Sequence, residues 1–208
     1  MDFPYNIILN NARAERSQRV TYKSTSQAVT KPVTLSEAKL HLKMDDIDAD
    51  DTLIEALIAA ATEHAQNYTN RIFINTEIVQ VYDAFPISNE VLRLAVTPLV
   101  SVASVTYLDT NGDSQTWTAS DYVVDSYTEP CEISEKNGAT YPDTVVQRNA
   151  VTVTYTAGFG ATAANVPQPI KQAILLLIGH FYNYRDDTVS QKRTAAERLL
   201  NFYRVKRN

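Results

Sequence analysis

The residues with the chemistry of a metal site are five aspartates between Asp45 and Asp51. Clustered carboxylates are ligands that calcium prefers, so this run first suggests an EF-hand loop. A loop that begins at Asp46 has Asp51 where the EF-hand requires glycine, and Leu57 where it requires a bidentate glutamate. We therefore interpret the run as a solvated linker whose carboxylates cap the helix that follows it.

Three histidines are the other candidates for metal binding or acid–base chemistry. His41, His64 and His180 fall on three different predicted helices, whereas zinc sites usually place their ligands in short paired spacings. Gly158-Phe159-Gly160 lacks the lysine and further glycine of a phosphate loop, and we interpret it as a flexible exit from a strand. The chain has no G-x-S-x-G nucleophile motif. The sequence therefore predicts no catalytic residue, no metal and no cofactor, and it favours a protein that is not an enzyme.

Two helices are predicted in the first third of the chain. Thr34 followed by Glu37 has the pattern of a capping box, in which the hydroxyl and the carboxylate each accept a hydrogen bond from an orphan backbone N–H. The first helix should therefore begin near Leu35. The acidic run precedes a second helix, which should extend to about Arg71 because carboxylates favour the positive end of the helix dipole.

Apolar spacing indicates what these helices contact. On the second helix the apolar positions recur every three or four residues and include many alanines, which predicts a narrow face that fits another helix. The segment from Ala173 to Tyr182 is apolar on nearly every side, which is typical of a helix that is buried all round or shared between subunits. The residues predicted to form this core or inter-subunit contact are Leu53, Leu57, Ala61, Ile174, Leu177 and Phe181.

The middle of the chain has the two-residue period of β-strands. The clearest predicted strands are residues 77–82, 102–108, 121–124 and 151–155, which are rich in β-branched residues and tyrosine. Asn111-Gly112 supplies the positive φ angles of a hairpin turn, and a second hairpin turn is predicted at residues 135–138.

These elements predict an α+β fold in which the N- and C-terminal helices form a helical bundle, with a small antiparallel β-sandwich or barrel inserted between them in the chain. The expected domains are a flexible N-terminal arm at residues 1–31, a helical domain at residues 32–72 and 165–208, and the β domain at residues 73–164. The arm is polar and basic apart from a short apolar patch at Ile7, Ile8 and Leu9.

Charge placement excludes some partners. The chain has a net charge of −5, yet its first 31 residues carry five Lys/Arg against two Asp/Glu, and residues 186–208 carry six against three. An acidic body with basic ends suits head-to-tail association and argues against DNA as the main ligand. The longest apolar run is shorter than the ~18 residues needed to cross a bilayer, so no membrane contact is expected. The single cysteine, Cys131, and the absence of a signal-peptide pattern at Met1 fit a protein that stays in the cytoplasm where it is made.

The order of several short patterns carries a resemblance to a known family. These patterns are V-T-L-S-E-A-K-L-H-L-K, then L-I-E-A-L-I-A-A-A-T-E-H-A-Q-N-Y-T-N-R, then V-T-V-T-Y-T-A-G-F-G, then V-P-Q-P-I-K-Q-A-I-L-L-L-I-G-H-F-Y-N-Y-R-D. Over roughly residues 33–205 the chain resembles the head-to-tail connector, or adaptor, proteins of tailed bacteriophages, in the form that carries a β insert.

The resemblance implies a structural virion protein of the neck, assembled in the host cytoplasm as a ring of twelve copies under the portal. Such a ring gives a stopper or tail-completion protein its docking platform and lets DNA pass without specific binding. The C-terminal segment would reach the portal, and its contact residues by position would be Arg193, Arg198, Tyr203, Arg204, Lys206 and Arg207. We expect this segment to order only on assembly, so that deleting residues 190–208 would leave the fold intact.

Two other classes stay open on the sequence. A β-rich binding or decoration module on a helical frame would recognise protein or sugar through Trp117 and the tyrosines of the insert, and it would be monomeric with an exposed aromatic patch. A small hydrolase would need titratable residues that converge in a pocket. An apolar helix that serves simply as the core of a monomer also satisfies the pattern.

Overall fold

Four α-helices and eight β-strands form within the residues that the computed structural model describes, which are 20–25, 30–44, 47–87, 90–184 and 194–205. The helices are α1 (Leu35–Leu42), α2 (Asp51–Thr69), α3 (Gln168–Asn183) and α4 (Ala195–Asn201). The strands are β1 (Val20–Ser24), β2 (Thr76–Tyr82), β3 (Leu92–Arg93), β4 (Leu99–Leu108), β5 (Ser114–Thr116), β6 (Tyr122–Asp125), β7 (Glu132–Glu135) and β8 (Val151–Ala157).

The chain divides into two compact units. The β unit contains strand β1 and residues 76–157. The helical unit contains the described residues from 30 to 75 and from 158 to 205. The molecule therefore has the predicted α+β composition, with antiparallel sheets and α-helices segregated along the chain.

The predicted capping box at the start of α1 is confirmed. The Glu37 backbone N–H donates to Thr34 Oγ1 at 3.2 Å, and the Thr34 backbone N–H donates to the Glu37 carboxylate at 2.7 Å. Lys171 of α3 also donates to Glu37, at 2.7 Å. Burial opposes ionisation of Glu37, but the hydrogen bonds from Lys171 and Thr34 outweigh it and lower the pKa of this carboxyl.

The core of the helical unit lies between α2, α3 and α4. Its fully buried side chains are Ile54, Ile58, Ala61 and Ala65 on α2, Ile170, Ala173, Ile174 and Ile178 on α3, and Ala196 and Leu200 on α4. The alanines bring α2 close to its neighbours, as their small size predicts. Within a single chain α3 is not buried all round, because Leu175 and Leu176 are only half-buried.

The exit from β8 differs from the flexible segment that the glycines of Gly158-Phe159-Gly160 suggested. The Phe159 backbone N–H donates to Phe73 O at 3.1 Å, and the Asn75 N–H donates to Gly160 O at 2.9 Å. A Cβ on Gly158, whose φ is +148°, would lie 2.5 Å from the Asn75 backbone nitrogen. Glycine is required here for a close approach of two backbone segments.

The β unit holds two antiparallel sheets. One has five strands in the order β1-β2-β8-β4-β5, and the other has three in the order β3-β7-β6. Along β8 every second residue is buried, which fits the predicted two-residue period. The predicted Asn111-Gly112 turn joins β4 to β5, and Gly112 has a φ of +89°.

Two local predictions differ from the structure. Residues 20–24, which composition placed in the arm, pair along their whole length with β2, because the edge of β2 supplies hydrogen bonds that composition cannot reveal. Residues 135–138 make a turn with Gly138 at φ +88°, but it is not a hairpin turn. β7 ends there and pairs with β3 and β6, which both precede it in the chain.

A buried hydrogen-bond network organises the β unit around Gln80. The Gln80 Oε1 accepts from the Tyr155 hydroxyl at 2.9 Å and from the Ala95 backbone N–H at 2.8 Å. Its Nε2 donates to Arg93 O at 2.8 Å, and the Tyr82 hydroxyl donates to the same carbonyl at 2.7 Å. Burial raises the pKa of Tyr82 well above its ordinary value, so the hydroxyl keeps its donor proton.

Candidate interaction site

The C-terminal segment, residues 194–205, is built into the helical unit. Thr194 begins α4 with a capping box, in which the Glu197 N–H donates to Thr194 Oγ1 at 3.2 Å and the Thr194 N–H donates to Glu197 at 3.0 Å. Ala196 and Leu200 then face inward and are buried in the core. The position of α4 is therefore fixed by hydrophobic burial as well as by its cap.

Hydrogen bonds to the end of α2 hold the residues after α4. The Val205 N–H donates to Thr69 O at 2.9 Å, and Asn70 Nδ2 donates back to Val205 O at 2.8 Å. Arg71 Nε donates to Tyr203 O at 2.6 Å. The expectation that the C-terminal segment orders only on assembly is thus wrong for residues 194–205, because they complete the core of a single chain. Deleting residues 190–208 would remove Leu200 from that core.

The outer side of this segment presents a mixed basic and aromatic surface, formed by Arg198, Phe202 and Arg204, which we call the C-terminal surface. Arg198 and Arg204 are exposed, and Phe202 is 87% exposed. The Arg204 guanidinium carbon lies 5.2 Å from the ring centroid of Tyr68, a cation–π distance that orients the charge. Exposed arginines beside a large aromatic side chain are typical of protein contact surfaces.

The structure brings together only part of the predicted portal-contact set. Arg198 and Arg204 are at the surface and Tyr203 is half-buried, while Arg193, Lys206 and Arg207 lie outside the described residues. Phe202 was missed as a site residue, although its place in the run Phe202-Tyr203-Arg204 was a usable signal.

The residues predicted for the core or an inter-subunit contact separate into two groups. Ala61, Ile174 and Leu177 are buried in the helical core. Leu57 and Phe181 are half-buried, and Leu53 is exposed. The second group therefore leaves apolar surface on α2 and α3 that a neighbouring chain could cover.

The acidic run is tied to the helical unit by ion pairs. Lys39, whose side chain is only 9% exposed, has its Nζ 2.6 Å from Asp48 Oδ1 and 2.9 Å from Asp51 Oδ1. These hydrogen bonds raise the pKa of Lys39, and the bond from Lys39 lowers the pKa of Asp48.

Asp51 lies in the first turn of α2, where the helix dipole favours a carboxylate, but the predicted side-chain cap is not formed. Asp50 occupies the N-cap position of α2, but its side chain makes no cap hydrogen bond and instead accepts from the Tyr182 hydroxyl of α3. A long-range donor outcompetes the local cap because α3 packs beside the start of α2. Asp45 and Asp46 lie outside the described residues.

The histidines lie against aromatic or helical neighbours. His64 meets Phe181 edge-on with ring centroids 6.5 Å apart, and the rings of His180 and Tyr184 are 5.1 Å apart. Gly179 of α3 brings its backbone close to His41. Over the part of the chain that the structure describes, no three His, Cys, Asp or Glu side chains form a group able to hold a metal ion. None of the described helices is long and apolar enough to cross a membrane.

Trp117 does not form an exposed recognition patch. It is only 3% exposed and contacts the rings of Phe85, Tyr122 and Tyr141 at centroid distances of 5.1, 4.9 and 5.3 Å. This aromatic cluster is part of the core of the β unit. The binding-module alternative therefore loses the residue on which it depended most.

Comparison with known proteins finds one matching family and several solved structures of similar fold. The family model described as head completion protein matches residues 32–198. A chain from the neck of an empty gene transfer agent particle with C6 symmetry is 21% identical with a TM-score of 0.76, and a chain from a native particle is 20% identical with the same TM-score. A neck chain from the native particle with C12 symmetry is 21% identical with a TM-score of 0.66. Each comparison covers 90% of this chain and 97% of the other. No curated protein matches the sequence.

Proposed function

The chain belongs to the head completion protein family, and from that premise we propose that it is a structural adaptor of the virion neck that forms a ring under the portal. The resemblance to phage head-to-tail connector proteins is confirmed by the family match. The single observation that carries the proposal is the extent of that match, residues 32–198, because it includes helices of the helical unit and the whole segment from β2 to β8.

The ring would contain twelve copies of this chain. The similar folds come from necks with C6 and C12 symmetry, which supports a cyclic arrangement with a copy number divisible by six. Closed rings use heterologous contacts, in which one surface of a subunit meets a different surface of the next. The exposed or half-buried apolar residues Leu53, Leu57 and Phe181 are candidates for such a contact.

The C-terminal surface would contact the portal, and another face of the ring would receive the stopper or tail-completion protein. Arg198 lies in α4 and Arg204 in the hydrogen-bonded segment after it, so their charge is presented without a large loss of chain entropy on binding. Arginine at the rim of a contact pairs well with carboxylates, so we expect an acidic patch on the partner. With a net charge of −5 the ring would let DNA pass without binding it specifically.

The test reverses charge on the C-terminal surface. The double variant Arg198→Glu with Arg204→Glu should bind the cognate portal ring at least about tenfold more weakly in co-sedimentation, because two attractive pairs become repulsive. Lys136→Glu is the matched control, since Lys136 is an exposed lysine of the β unit and its reversal should leave binding unchanged. Portal binding by the double variant at the wild-type level would contradict the assignment of this surface.

A further inference from the structure

A groove in the β unit lies beside two strands whose outer edges are open. It has a volume of about 450 Å³ and is lined by β4 and by β6 with its flanking residues; the lining residues are Leu99, Val100, Ser101, Val102, Ala119, Tyr122, Val124 and Ser126. β4 is hydrogen-bonded to β8 along one side. On its other side β5 pairs only with Thr106–Leu108.

The first half of β4 therefore has an open edge. Among the described residues no strand pairs with the outer side of residues 99–104. β6 is the end strand of the three-stranded sheet. Within the described ranges it pairs only with β7. Open strand edges next to each other are templates for an added strand, and natural proteins usually protect them.

The exposed side chains at this groove are mainly apolar, and the open edge of β4 lacks the charged residues and prolines that usually protect such an edge. Val100 is 51% exposed and Val124 is half-buried, and residues 99–104 contain no proline and no charged residue. Exposed β-branched residues on an open edge are a liability unless another segment covers them. An added strand would form hydrogen bonds with the backbone groups of the open edge and would bury the valines at the same time.

We propose that this groove receives the N-terminal arm of a neighbouring copy, which adds residues 3–9 as a strand at the open edge of β4. In an extended strand Phe3, Tyr5, Ile7 and Leu9 share one face, which is the apolar face that the groove requires. Arg13, Arg16 and Arg19 follow that segment, while Asp121 precedes β6 and Asp125 is its last residue, so the charges are complementary.

Chain length favours a neighbouring copy over the same copy. Val20 pairs with Tyr82 at the end of the sheet that also holds Tyr107, so it lies about four strand spacings and six residues away from a strand added beside Ser101. With strands about 4.8 Å apart and a rise of about 3.3 Å per residue, the straight line is roughly 28 Å, and passing over a sheet face adds about 10 Å. The link from Leu9 to Val20 spans about 37 Å when fully extended, so the same chain would reach only under tension.

A strand donated to the next copy is a heterologous contact, so this inference rests on the proposed ring and adds its interlocking device. The arm lies outside the residues 32–198 of the family match. Its role can therefore be tested separately from the family function.

Cross-linking between full-length chains tests the inference. One chain carries Ile8→Cys, a second carries Val100→Cys, and a short bismaleimide joins cysteines that lie close together. Val146→Cys is the matched control, because Val146 is a 79% exposed valine of the same unit that does not line the groove. The native Cys131 is buried, and wild-type chains measure any background that it gives.

A covalent dimer should form at least about fivefold more with Val100→Cys than with Val146→Cys. Adding Val124→Lys, at a valine that lines the groove, to the Val100→Cys chain should reduce its yield, because a charge in the groove opposes the apolar strand. Equal yields at the two positions, or no dimer, would overturn the proposal. In a chain that carries both Ile8→Cys and Val100→Cys, a cross-link that forms only within single chains and gives no dimer would also overturn the proposal. A ring that assembles on the portal without the cross-link would leave the adaptor function standing and remove only this inference.

Discussion

At the scale of single residues, the structure depends on buried polar groups whose partners are distant in sequence. Thr34 and Glu37 were predictable because a capping box is a local pattern in four residues. The Gln80 network was not, because Gln80 and Tyr155 are 75 positions apart and nothing near either residue specifies the pair. The same reason explains Lys39: its carboxylate partners could be seen in the sequence, but the lysine that neutralises them could not.

Replacing the buried amide of Gln80 should destabilise the β unit. Gln80→Met keeps the approximate volume but leaves the Tyr155 hydroxyl and the Ala95 N–H without their acceptor. Each unsatisfied buried group costs about 1–3 kcal/mol, so we expect a loss of about 2–4 kcal/mol in the free energy of unfolding measured with urea. Gln172→Met on the exposed side of α3 is the control and should change stability by less than about 0.5 kcal/mol. Equal effects of the two substitutions would contradict the role of the network.

The Lys39 ion pairs predict an acid-sensitive contribution to stability. The pKa of Asp48 is lowered in the folded chain from its ordinary 3.8, so its contribution is present above about pH 3.8 and is lost as the pH falls through the lower folded value. Asp48→Asn should therefore lower the free energy of unfolding at pH 7, and its difference from wild type should narrow below pH 3.8.

The pKa of Lys39 is raised in the folded chain. Its contribution to the free energy of unfolding is therefore complete below pH 10.5 and is lost only as the pH rises through the higher folded pKa. In a Lys39→Met background, Asp48→Asn should consequently have little effect at pH 7, as measured by urea unfolding. An undiminished effect of Asp48→Asn in that background would show that Asp48 acts through another group.

At the scale of elements, the long periodic segments were the predictable ones. α2, α3, β2, β4 and β8 carry strong three-to-four or two-residue periods, and the sequence located each of them. β1, β3 and β7 were not found, because each is two to five residues long and is stabilised by the strand beside it. The helical spacing of Ala196, Leu199 and Leu200 also indicates a helix that docks, and Ala196 and Leu200 bury that face of α4.

α4 should contribute to the stability of the folded chain. Leu200→Ala removes a fully buried side chain and should lower the free energy of unfolding by about 2–4 kcal/mol, since the core cannot close completely around the cavity. Phe202→Ala, two residues later but on an exposed side chain, should change it by less than about 0.5 kcal/mol. Thermal or urea unfolding of both variants checks the pair, and a silent Leu200→Ala would mean that α4 is not docked in solution.

At the scale of the whole molecule, the order of helices, strands and helices indicated the α+β class and the connector family, both from sequence patterns alone. The surfaces used in assembly could not be predicted in the same way. Leu53 and Phe181 have the residue types of a core and lie at or near the surface, while Trp117 has the residue type of a binding patch and is buried. Residue type alone does not separate a core from an interface, because both are apolar.

The central claim is that this chain becomes a ring when the portal is present. Light scattering coupled to size exclusion measures the mass of the purified chain alone and after mixing with the cognate portal ring. We predict one large species whose mass equals the portal plus about twelve copies of the chain, as the C12 neck of a similar fold suggests. A chain that remains monomeric and elutes apart from the portal at every mixing ratio would contradict it.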